Sequence, residues 1–144
     1  MSVIIYILSF SLLSKSIAVG KDKSKKRLIP NDQAASLIEK LQYLMTTQKP
    51  YLNTKFSLQS LSKEINITSH QMSQLLNDNI GKSFAEYTAE LRIMEAKALL
   101  KDPANDHLTI EAIAEMVGYM SKSTFNAAFK KYTGTTPKLY KVEG

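Results

Sequence analysis

Leu58, Leu61, Ile65 and Ile67 recur as Ile110, Ile113, Val117 and Tyr119, each 52 positions later, and this duplication limits the possible folds more than any other feature of the chain. Past that point the interval becomes 53, so that Thr68, Met72, Leu76 and Gly81 match Ser121, Phe125, Phe129 and Gly134. The second copy therefore carries one extra residue, near Met120. Each copy reads as two short helices joined by a tight turn, with Thr68 and Ser121 capping the second helix of its pair. Met72 and Leu76, like Phe125 and Phe129, stand at i and i+4 and face the core of their unit. Ser62 stands where the second copy has Ala114, a position at which close helix approach requires a small side chain. Gly118 suits a turn with positive φ, and Asn66, its counterpart, is the residue best able to replace glycine there.

The rest of the chain frames this pair. From Phe84 to about Lys101 runs the longest uninterrupted helical pattern, with Phe84, Tyr87, Leu91, Met94 and Ala98 on one face and Asp102-Pro103 as its stop. Ahead of the first copy, Leu37, Ile38, Leu41, Leu44 and Met45 form the stripe of a lead helix over residues 31–50, capped by Asn31 or Asp32 and closed by Pro50. No run alternates like a strand. The expected fold is all-α, with two helix–turn–helix units joined by a long linker helix and preceded by an extra N-terminal helix. Residues 51–144 make the double helix–turn–helix domain.

Residues 1–20 are apolar from Val3 to Leu13 and then weaken, which is short of the roughly 20 apolar residues a full membrane span needs. A truncated transmembrane helix, a signal peptide and an amphipathic or cloning-derived segment all fit. The basic linker that follows, residues 21–30, would hold everything downstream in the cytoplasm by the positive-inside rule, or else serves only as a solvated connector.

The net charge of +6 is unevenly spread. Residues 21–27 hold five positive side chains and Asp22, residues 28–117 sum to −3, and residues 118–144 sum to +4 through Lys122, Lys130, Lys131, Lys138 and Lys141 against Glu143. The basic end of the body is the C-terminal one, and it suits an anionic partner. With no cysteine, and with His70 and His107 far apart, thiol chemistry and a metal site are not expected, nor is any cofactor. The five glycines form no phosphate loop and nothing sets a nucleophile beside a base, so an enzyme is not expected either.

The outward faces of the second helices carry the functional signal. A helix–turn–helix lays its second helix in the DNA major groove, where base edges are read by the exposed side chains. Over residues 122–131, Lys122 stands in the first turn and Lys130 and Lys131 in the last, with Ser123, Thr124 and Asn126 between them. Asparagine pairs bidentately with adenine, and threonine can meet a base edge with its hydroxyl or its methyl. The first unit offers Ser69, His70, Gln71, Ser73 and Gln74 over residues 69–79, with no lysine or arginine. Glutamine can specify adenine but neutralises no phosphate, so the second unit is expected to supply more of the attraction and the first to add selectivity or to be nearly idle.

The stretches "MSQLLNDNIGKSFAEYTAELRIMEAKALL" and "TIEAIAEMVGYMSKSTFNAAFKKYTGTTPKLY" resemble the AraC-type transcription regulators over about Leu58 to Tyr140. The spacing of Gly81, Phe84, Tyr87, Arg92, Ala96, Leu99-Leu100, Ile113-Ala114, Gly118, Phe125, Phe129, Gly134 and Pro137 carries the resemblance. It implies a helical domain that places two recognition helices in successive major-groove segments and activates or represses transcription, with double-stranded DNA and RNA polymerase as partners. Two positions depart from the family, Gln74 where a basic residue is frequent and Ala127 where an arginine is, and each removes a guanine or phosphate contact. Residues 37–65 also look like a membrane-linked subgroup, which implies a cytoplasmic domain tethered to the inner face of the membrane through residues 1–20. No cupin-like effector domain is seen. The stripe of the lead helix can pack on its own domain or pair with a second copy in a homodimer. A protein-interaction module on the same fold, with weak or no DNA binding, is the competing function, favoured by the acidic count over 28–117 and by Gln74 and Ala127.

Overall fold

The computed structural model describes residues 26–143. The apolar segment 1–20 and the first half of the basic linker lie outside them. Among the described residues there are seven α-helices and no strand: α1 Asn31–Thr47, α2 Leu58–Ile65, α3 Ser69–Asn79, α4 Phe84–Lys101, α5 Ile110–Met116, α6 Lys122–Thr133 and α7 Pro137–Val142. None of them is long and apolar enough to cross a membrane. The chain divides into two compact bodies, one holding α2 and α3 with most of α1, the other holding residues 44–57 and everything from Ala85 onward.

The first body contains the first helix pair. Leu61, Met72 and Leu76 are fully buried and Ile65 and Leu75 nearly so. Ser62 is buried as well, and it tolerates this because its hydroxyl donates to the Leu58 carbonyl one turn back (2.6 Å). Serine thus fills a site that calls for a small side chain without leaving a polar atom unpaired. Thr68 caps α3 in a reciprocal box: the Gln71 N–H donates to Thr68 Oγ1 (3.1 Å) and the Thr68 N–H donates to Gln71 Oε1 (3.0 Å).

The second body repeats this wiring. Ile67 N–H to Ser62 O and Asn66 N–H to Lys63 O in the first turn become Tyr119 N–H to Ala114 O and Gly118 N–H to Glu115 O in the second, at the interval of 52 read from the sequence. Past the turn, Met72 N–H to Thr68 O becomes Phe125 N–H to Ser121 O, at 53. The extra residue is Met120, which is pushed out to 89% exposure so that the helices on either side keep their register. Phe125 and Phe129 are fully buried in a ring series Tyr119–Phe125–Phe129–Tyr140 with centroids 5.4, 5.7 and 5.4 Å apart. Ile93, Ala96, Leu100, Ile113, Ala114 and Val117 complete that core.

Asn66 and Gly118 both have positive φ, 64° and 95°. They are not equivalent in space. A Cβ on Gly118 would stand 2.8 Å from Arg92 Nε and 2.8 Å from the Tyr51 carbonyl oxygen, atoms that are hydrogen-bonded to each other. Gly118 is therefore required by both backbone conformation and space.

Three helix details differ from the sequence reading. Helix α1 starts one residue early: Pro30 supplies the carbonyl that accepts from Gln33 and Ala34, so Asn31 lies inside the first turn, where it accepts a hydrogen bond from Arg27 instead of capping. The helix ends at Thr47, and Lys49, just before Pro50, takes a left-handed conformation (φ 48°) that opens a short 3-10 turn over Pro50–Leu52. Proline disfavours the helical region for the residue before it, which moves the break upstream of Pro50 itself. In α4 the buried positions are Tyr87, Thr88, Ile93, Ala96 and Leu100, whereas Ala98 of the expected stripe is exposed. The helix is apolar on more than one side, so a single stripe could not be chosen from periodicity.

Gly118→Ala is expected to lower the unfolding free energy by about 2–3 kcal/mol, measured by denaturant titration, from strained φ and the Arg92 clash together. Asn66→Gly should stay within about 1 kcal/mol of the parent.

Candidate nucleic-acid interface

Helix α6 is set by Ser121, whose Oγ accepts from the Thr124 N–H (3.2 Å), and ended by Gly134 in the left-handed conformation (φ 79°). With Phe125 and Phe129 fixed inward, Lys122, Ser123, Thr124, Lys130 and Lys131 are exposed and Asn126 is partly so. The expected face thus exists, but its members are not equally available. Lys122 pairs with Glu111 of α5 (2.5 Å), both being exposed. That hydrogen bond holds the Glu111 carboxyl below its usual range. The pair also offsets a lysine at a helix N-terminus, the unfavourable end for a cation. Thr124 Oγ1 accepts from the Ser121 hydroxyl (2.8 Å), and Asn126 Oδ1 is buried with no partner. In this rotamer Asn126 turns its acceptor away from solvent, so bidentate pairing with a base needs the amide to turn.

Of the C-terminal lysines counted as basic surface, Lys141 points inward to the carbonyls of Asp106 (3.0 Å) and Leu108 (3.3 Å). On the recognition helix, Lys130 and Lys131 are exposed cations in the last turn, with the Lys131 ammonium 5.5 Å from the centroid of Tyr132.

The first unit is used differently. Gln71 spends its side-chain oxygen on the capping box. Gln74 Oε1 accepts from the Leu28 N–H (2.7 Å) and Gln74 Nε2 donates to the Lys26 carbonyl (3.2 Å). His70 is exposed, and Ser69 and Ser73 are partly so. Among the described residues no cluster of side chains could hold a metal ion.

Arg92 was legible only as one element of a family spacing. Its Nε donates to the Tyr51 carbonyl (2.7 Å) and an Nη2 to the Asn53 carbonyl (3.1 Å), while the guanidinium carbon lies 5.5 Å from the Tyr119 ring centroid. Desolvation pulls its pKa down from the usual arginine value. It fixes the turn ahead of α6 and thereby the direction of the recognition helix. A lone arginine within an apolar helical pattern was the available signal. Glu111 had none, because an exposed glutamate on a short helix looks like ordinary surface.

Two capped helix–turn–helix units in tandem, each with a buried inner face and a polar outer face on its second helix, define the class of a DNA-binding helix–turn–helix module. A family model described as a helix-turn-helix domain matches residues 61–142, and the chain belongs to that family, in its AraC type. It is 29% identical over 105 residues to the HTH-type transcriptional activator RhaR of Cronobacter sakazakii, covering 73% of this chain and 36% of that protein. The C-terminal domain of the two-component response regulator YesN from Fusobacterium nucleatum superposes with a TM-score of 0.65 at 31% identity, over 74% of this chain and 98% of that one. The C-terminal domain of AraT, a response regulator from Geobacillus stearothermophilus, does so with 0.65 at 28%, over 83% and 89%. The chain spans about a third of the length of the curated relatives it matches. The matched family is one of helix–turn–helix regulator domains and not an enzyme family.

Glu111→Gln is expected to release Lys122 and tighten DNA binding by about 2- to 5-fold at low salt, read by fluorescence anisotropy. Because the Glu111 carboxylate is favoured in the folded protein, its pairing is present at neutral pH and is lost as pH falls through its depressed pKa. The gain in the variant should therefore shrink under acid conditions.

Proposed function

We propose that this chain is the DNA-binding part of a sequence-specific transcription regulator, with α3 and α6 entering the major groove. The observation that carries the proposal is the family match across both helix pairs, together with exposed Lys130 and Lys131 at the end of α6. In this reading Lys130 and Lys131 neutralise phosphates, Ser123, Thr124 and Asn126 read bases, and Lys122 joins them when Glu111 lets it go. In the first unit Ser69, His70 and Ser73 face DNA directly, while Gln71 and Gln74 must first leave their present partners. RNA polymerase is the protein partner expected of a transcription regulator. The apolar residues 1–20 followed by the basic 21–27 favour attachment to the inner face of a membrane, and the apolar stripe of α1, in which Leu37 and Ile38 are only partly buried, offers a surface for pairing with a second copy in a homodimer.

Selection of bound DNA from a random pool with the full chain, followed by titration at several salt concentrations, tests the reading. The expected product is a motif with two contact segments about one helical turn apart and a steep salt slope. Enrichment of no motif would overturn it. Lys130→Ala with Lys131→Ala should weaken binding on all sequences alike and lower the log–log salt slope by about 2. A loss confined to the selected site would mean that these lysines read bases.

A further inference from the structure

We infer that the chain's own connector, residues 26–28, docks on the base-reading face of α3 and competes with DNA for Gln74. The argument starts from the shape of a carboxamide. One edge of it presents an acceptor and an N–H side by side, the pattern with which glutamine recognises adenine: oxygen to the N6 amino group, N–H to N7. Here Gln74 Oε1 accepts from the Leu28 N–H and Gln74 Nε2 donates to the Lys26 carbonyl. The two partners lie two residues apart on one short piece of backbone, so a single edge of the amide serves both. The connector thus offers Gln74 one donor and one acceptor, as the major-groove edge of adenine does.

The contact is anchored on both sides. Ile29, the next residue, is buried at 8% exposure, and Arg27 donates to Asn31 in the first turn of α1. Leu75 and Leu76, beside Gln74, are buried, so α3 cannot rotate to offer the glutamine on another side. Being covalently attached, the connector competes at a high effective concentration. Gln71 adds to the effect, since its side chain closes the capping box with Thr68. The first unit is therefore masked in the free protein, and DNA must displace Lys26–Leu28 before Gln74 can read a base. A pull or a ligand that lifts the connector would increase affinity at the half-site read by α3 and leave the other half-site unchanged.

This inference rests on the proposed function, and its test separates the two. Leu28→Pro in the full chain removes the N–H that Gln74 accepts while keeping every charge. It is expected to bind the selected DNA on the order of 5-fold tighter, because the competent fraction of the first unit rises. The gain should vanish when the half-site read by α3 is scrambled, and also when Leu28→Pro is combined with Gln74→Ala. In the unaltered chain, amide hydrogen exchange should find the Leu28 N–H protected when free and exchanging faster once DNA is bound, a measurement that does not depend on the proline variant folding. DNA binding with unchanged or weaker affinity in Leu28→Pro, or a Leu28 amide that stays protected in the complex, would overturn the inference; weaker binding together with continued protection would make the connector a DNA-contacting arm held by Gln74. Absence of DNA binding by every variant would instead overturn the proposed function.

Discussion

The direction of the second recognition helix depends on the packing of one guanidinium against one glycine. Arg92 reaches from α4 to the carbonyls of Tyr51 and Asn53 and lies against the Tyr119 ring, at the place where Gly118 turns the chain from α5 toward α6. Three segments far apart in sequence are tied there by one charged side chain. A charged donor that is partly desolvated must be paired, so the two carbonyls cannot be given up cheaply. Lys49 and Glu95, 2.9 Å apart and partly buried, hold the same 3-10 segment to α4 a turn further along. The aromatic series from Tyr119 to Tyr140 then carries this orientation through the interior of the second body.

Within the duplicated plan the two copies spend their polar groups differently. The second keeps an exposed pair of lysines at the end of its recognition helix and checks a third, Lys122, with Glu111. The first has no cation on its helix and ties two of its glutamines to its own backbone. Both arrangements leave the hydrophobic register untouched, since Met72 and Leu76 pack like Phe125 and Phe129. Buried spacing defines the fold, and the exposed positions are free to diverge in chemistry.

Much of the architecture could be read before any coordinates. The interval of 52, its change to 53 and the extra residue near Met120 are matched by the turn hydrogen bonds and by the exposure of Met120. Thr68 and Ser121 cap as expected, and Asn66 does stand in for glycine. The misses share a cause. Pro30 in place of Asn31 as the start of α1, the shifted stripe of α4, the inward turn of Lys141 and the capture of Gln74 each depend on a partner remote in sequence or on a choice between nearly equal local options. Periodicity says which side of a helix is apolar and is silent about which polar group another segment will reach.

By itself, then, the sequence determined that the described part of the chain is all-helical and duplicated, that Thr68 and Ser121 cap the second helix of each pair, and which side chains of those pairs lie inside, because helix period, capping chemistry and positive φ act over a few residues. Only the tertiary structure decided which outward groups remain available. Lys122 is engaged by Glu111, eleven residues away, and Gln74 by backbone 46 and 48 residues away. A polar side chain pairs with whatever donor or acceptor the packed backbone brings within about 3 Å, and that distance is set by the fold of the apolar core rather than by the polar residue's own neighbours.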